Sequence, residues 1–124
     1  MKISLDNITK YADFDKKKDA RLRNISFDVE QGEFVSIHVK TSKEKRALSE
    51  LFELDTFGAE GKLTLDGRDV GKLSPKRLSR LRSENIGYIY SEPNLIGHTN
   101  VYKNATLPLK YRHDIRDDQP ALYE

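Results

Sequence analysis

"VKTSKEKRA", residues Val39–Ala47, is the stretch on which the reading of this chain turns. Before it stands "EFVSIHV", Glu33–Val39, apolar enough to expect a strand. After it the chain runs on as "LSELFEL". Ala47, Leu48, Leu51 and Phe52 fall at i, i+1, i+4 and i+5, an apolar stripe of helical period. Thr41 with Glu44 three residues on fits a capping box, T-x-x-E. The junction therefore reads as strand, turn and capped helix. The open matter is whether the helix start also holds an anion.

Composition sets the outer bounds. At 124 residues the chain is at most one domain of ordinary size. Charged residues make up 34% and apolar residues 36%, the balance of a water-soluble chain. The 22 basic and 20 acidic residues leave a net charge of +2, too mild to argue for nucleic acid. There is no cysteine, which excludes disulfides and thiol chemistry. The N-terminal "MKISLDNITKY" has no apolar core of a signal peptide, and no apolar run approaches the roughly 20 residues of a membrane span. The expected location is the cytoplasm, with the inner face of the cell membrane reached only through a partner. His38, His98 and His113 are scattered and no carboxylate cluster accompanies them, so no metal is expected. His38 reads as a packed or edge residue of its strand.

Along the chain, "KISLDNI" and "LRNISFDV" alternate as strands, with Ile3 and Leu5 on one face of the first and Ile25, Phe27 and Val29 on one face of the second. The polar "TKYADFDKKKDAR" between them reads as a surface loop, and Gln31-Gly32 as a turn. "GKLTLDG" is a short strand closed by an Asp-Gly turn. Ser74-Pro75 starts a helix whose inner side is Leu78 and Leu81. "IGYIY" reads as a further strand, "NVYKNATLPLKYR" as a helix capped by Asn100, and residues 113–124 as a tail. Tyr88, Tyr90 and Tyr111 are expected in the core or at an interface.

The stretch "LSPKRLSRLRSENIGYIYSEPNLIGHTNVYKNATLPLKY" resembles the ATPase subunits of ATP-binding cassette (ABC) transporters. It is similar in particular to the lipoprotein-release and macrolide-export branch, where "LRRExIGFVFQxFNLIPxLTxxENVxLPLxY" is typical. Ile86, Gly87, Asn94 to Ile96, Asn104, Leu107 to Leu109 and Tyr111 align without a gap. Upstream, "LRNISFDVEQGEFVSI" and "GKLTLDGRDVGKLS" resemble further family segments, so the likeness covers residues 1–112. The resemblance implies a fold of α/β or α+β class. It would be a partial P-loop ABC-ATPase-like fold, with an antiparallel β lobe and a strand-helix core lacking its C-terminal half. It also implies an aromatic that stacks on adenine, which corresponds to Tyr11.

The departures from the family are concentrated in the opening stretch. On the phosphate loop GxxxxGK(S/T), Val39 and Glu44 stand at the two glycines, Lys45 keeps the lysine, and Arg46 replaces the hydroxyl that holds magnesium. Ser91 stands where the family has its magnesium-sensing glutamine, and the downstream signature and Asp-Glu motifs lie beyond where this sequence stops. Glycines let backbone N–H groups converge on phosphate, and β-branched Val39 disfavours the positive φ such a cradle uses. A carboxylate at Glu44 takes donors that phosphate needs and repels it. Two like charges at ~4 Å repel by about 4 kcal/mol at an effective dielectric near 20. Arg46 has no lone pair for a metal.

Three readings stand side by side. In the first, the chain is a catalytically inactive companion of an export-type transporter, with no cofactor and ATP bound weakly at best. Its partners are then a second copy, an intact ATPase or a membrane permease. In the second, it is a free-standing anion or polyanion binder using Lys40, Lys43, Lys45 and Arg46, with Tyr11 as a vestigial nucleotide contact. In the third, it is an inactive fragment. The two core strands are not neighbours in the family's sheet, so a rearranged sheet or borrowed strands is the structural expectation.

Overall fold

The computed structural model describes residues 1–12 and 19–111, in two compact units, 1–74 and 75 onward. The first unit is built on strands β1 (Ile3–Tyr11) and β2 (Ala20–Val29), helix α1 (Ser42–Phe52), and strands β3 (Ala59–Leu65) and β4 (Arg68–Asp69). A 3₁₀ turn, Val70–Lys72, closes it. The sheet has the order β2-β1-β3-β4 and is antiparallel throughout. The α+β class and the antiparallel lobe are those expected.

Register explains which side chains are buried. Leu5 pairs with Phe27 but Ile8 with Ile25, so β1 carries one residue more than β2 across that interval. The extra residue is Asn7, at φ 49, a conformation that Asn adopts more readily than most residues. The bulge shifts the inward set from i, i+2 to Leu5, Ile8 and Lys10, all buried. Asn24, also at φ 49, adds the matching irregularity to β2. On β3 the neighbouring position is Gly61, at φ 95. A Cβ there would fall 2.4 Å from the Asn7 carbonyl oxygen, so only glycine fits.

Helix α1 packs against β2 and covers this face. Its Ala47, Leu48 and Leu51 are buried with Leu22, Leu54, Leu63, Leu65 and Val70, as the stripe predicts. Phe52 is half-buried, with its ring 6.4 Å from that of Phe27. The Asp66-Gly67 turn forms with φ 47 and 76, the two positive values of a tight hairpin.

Two expected strands do not form. Phe34–Val39 is irregular, with Phe34 97% exposed and Val35, Ile37 and Val39 also in solvent. Ile86–Tyr90 is irregular as well, and Ile89 is fully exposed. A strand is defined by its neighbour, and among the described residues neither segment has one. His38 is accordingly exposed rather than packed in a strand; its Nε2 lies 3.5 Å from the Ser36 hydroxyl.

The second unit holds α2 (Pro75–Asn85), which starts at Ser74-Pro75 as expected, and α3 (Val101–Thr106). Asn100 caps α3 through its Oδ1, which accepts from Lys103 N at 2.8 Å. Beyond Thr106 the helix tightens into a 3₁₀ turn, Leu107–Tyr111, because Pro108 has no N–H for an α-helical bond. Neither helix buries a residue fully; Leu78 and Leu81 are half-buried. Tyr88 and Tyr90 stack on each other at 5.3 Å instead of entering a core, and Tyr90 is exposed. The side chain of Tyr111 and residues 113–124 lie outside what is described.

Candidate functional site

The start of α1 is closed on itself. Thr41 is the N-cap, extended at φ −131 and ψ 156, and its hydroxyl oxygen accepts from Glu44 N at 3.2 Å. The Glu44 carboxylate turns back, and its Oε2 accepts from Lys40 N at 2.8 Å and Thr41 N at 3.3 Å. Lys45 N bonds to the Thr41 carbonyl at 3.1 Å. Lys40 N, Thr41 N and Glu44 N, donors that an anion at this helix start would otherwise meet, are thus engaged by groups of the same turn.

Lys40, Lys43, Lys45 and Arg46 are all exposed. Arg46 makes an ion pair with Glu50, one turn on, at 3.1 Å. Tyr11 lies at the far end of β1. Its backbone N–H donates to Gly58 O at 2.9 Å and its hydroxyl to Glu60 Oε2 at 3.4 Å. The four basic residues share the first two turns of α1 and the approach to it, and among the described residues no hydrogen bond or ring contact joins Tyr11 to them.

Two features escape a reading by composition or motif. Lys10 is 2% exposed, and its ammonium donates to the carbonyls of Asp55 at 3.0 Å and Phe57 at 3.1 Å, with Glu50 at 3.3 Å. Its place is signalled by the bulge: once Asn7 is counted out, Lys10 falls in the inward register. The second feature is a groove of about 710 Å³ along β2, from Ala20 to Phe27, with Ile37–Lys40 as its other wall. Lys40 alone of the expected site residues lines it. In the second unit, the Asn104 side chain accepts from Ile96 N at 2.8 Å and donates to Ile96 O at 3.2 Å, fixing the loop that leads into α3.

Among the described residues no three His, Cys, Asp or Glu side chains gather as metal ligands. No described helix is long and apolar enough to cross a membrane.

No family model matches the chain. It is 36% identical over 100 residues to a macrolide export ATP-binding/permease protein, MacB, of Bdellovibrio bacteriovorus, an alignment covering 81% of this chain and 15% of that protein. It is 29% identical over 109 residues to the uncharacterised ABC transporter ATP-binding protein YknY of Bacillus subtilis, covering 88% and 47%. It is 33% identical over 111 residues to the methionine import ATP-binding protein MetN of Mannheimia succiniciproducens, covering 90% and 32%. The chain spans less than half the length of each of these relatives. By sequence, this chain belongs with the ATP-binding proteins of ABC transporters.

Proposed function

We propose that the protein is a non-hydrolysing member of the ABC ATP-binding group, acting as a companion or interaction subunit beside a membrane permease or an intact ATPase. It takes no cofactor, works in the cytoplasm and meets the membrane only through its partner. One observation carries this reading: Glu44, at the position of the phosphate loop's second glycine, spends its carboxylate on the backbone N–H groups of Lys40 and Thr41. A nucleotide phosphate entering here would have to displace a local carboxylate whose cost of leaving its partners it must also meet. Arg46, where a magnesium-binding hydroxyl would stand, is paired with Glu50 instead. The role of a partner is supported by Phe34–Val39, an apolar segment lying bare in solvent.

Calorimetric titration of the full chain with ATP, with and without magnesium, tests the reading. The expected dissociation constant is weaker than ~1 mM, about −4 kcal/mol. Val39→Gly with Glu44→Gly is expected to tighten it. Sub-micromolar binding, or phosphate release abolished by Lys45→Ala, overturns the proposal.

A further inference from the structure

The groove beside β2 is lined by every residue from Ala20 to Phe27. Consecutive residues of a strand point to opposite faces, so a groove touching all of them runs along the strand's edge and not across a face. Among the described residues that edge is open: in the order β2-β1-β3-β4, β2 has a neighbour on one side only. The opposite wall, Ile37–Val39, is irregular chain that joins no ladder among the described residues. The groove between them is bounded by an edge of β2 that has no ladder partner among the described residues, with Glu44 and Leu48 of α1 also in its lining.

The charge of the lining is one-sided. Among the described lining residues Arg21, Arg23 and Lys40 stand with a single acid, Glu44, whose carboxylate contacts are to backbone N–H groups of its own turn. The Arg21 Nε itself is shut off from solvent with no hydrogen-bond partner. Ile25, Phe27, Ile37 and Val39 supply apolar surface between the cations. We propose that this groove binds an extended acidic peptide segment, which adds as a strand to the free edge of β2 with its carboxylates on Arg21, Arg23 and Lys40. Main-chain pairing supplies the affinity in such additions and alternate side chains the selectivity. The inference does not depend on the reading of the α1 start, because an intact phosphate site there would leave the β2 edge as open.

The test uses the full chain and a fluorescent peptide of four Glu-Val repeats, followed by anisotropy. Binding is expected, together with slowed amide exchange across Ala20–Phe27. Arg23→Glu, at an exposed position, is expected to weaken binding at least tenfold, with Arg23→Ala intermediate and the circular dichroism of both unchanged. A peptide N-methylated at alternate residues is expected to lose at least tenfold, as is one with Lys in place of Glu. Equal binding of the N-methylated peptide overturns strand addition. Equal binding of the Lys peptide overturns the charge assignment, and no binding at millimolar peptide overturns the site itself.

Discussion

The ammonium of Lys10 lies 3.3 Å from a carboxylate oxygen of Glu50, so the end of β1 is tied to the last turns of α1 by an ion pair whose lysine is buried and whose carboxylate is half-buried. The same ammonium holds the Asp55 and Phe57 carbonyls of the chain leaving α1. One side chain therefore organises the junction between helix and sheet. Lys10→Met keeps the length and removes the charge, leaving two carbonyls and a carboxylate short of a donor. The expected loss is about 2–4 kcal/mol in urea unfolding. A loss under about 1 kcal/mol would mean that water replaces the ammonium freely.

Thr41→Ala removes the N-cap acceptor of α1 and is expected to cost about 1 kcal/mol. Glu44→Gly should cost a similar amount in stability while improving ATP binding. The opposed signs separate a cap from a binding residue. Thermal melts and calorimetry on the same two variants give both numbers.

Gly61→Ala places a Cβ against the backbone of Asn7, which cannot swing aside, at a φ of 95 that alanine rarely adopts. The expected destabilisation is about 3 kcal/mol. Gly67→Ala meets open space and carries only the turn's φ penalty, so it should cost less. Equal effects of the two would show that β1 and β3 can separate at the bulge.

At the other end of the sheet, Lys2 pairs with Glu30 at 2.6 Å and Asp28 at 3.2 Å, and Asp28 also accepts from the Ser4 hydroxyl. The Ser4 bond first and Lys2 second hold the Asp28 carboxyl below its usual 3.8. Glu30 first and Asp28 second hold the Lys2 ammonium above 10.5. The stabilisation from Asp28 is complete above pH 3.8 and is lost as pH falls through its lowered value. That from Lys2 is complete below 10.5 and is lost as pH rises through its raised value. Both groups are open to solvent, so the limbs should be shallow. Asp28→Asn should flatten the acid limb; an unchanged acid limb would assign it to other carboxylates.

Ile37→Lys should leave the melting temperature within about 2 °C of the parent, since the residue lies outside the core. If Phe34–Val39 is where a partner docks, it should also abolish association in light scattering. Association that survives the substitution places the contact elsewhere.

Sequence legibility followed the range of the interactions involved. The capping box, the Asp-Gly turn, the Ser74-Pro75 start and the Asn100 cap each depend on groups within four residues, and each stands where the residues imply. Strand formation at Phe34–Val39 and Ile86–Tyr90 depends on a neighbour, which no local pattern supplies, and both patterns were strand-like without yielding strands. Lys10 was hidden for a related reason. Its burial follows from the bulge at Asn7, which shifts the alternation by one, and from carbonyls 45 and 47 residues away. The basic residues of the α1 start were visible as a cluster, but their companion Glu50 is what orients Arg46.

The helices of the second unit have a consequence for how the chain comes apart. Neither α2 nor α3 seals a residue from water, and an eleven-residue helix is marginal on its own propensity. Main-chain amides of residues 76–85 should then trade hydrogen for deuterium within seconds, while those of β1 and β3 hold theirs as long as the whole sheet survives. A protease added briefly to the native protein would leave a resistant piece ending near Ser74, and the melting curve would report that piece alone.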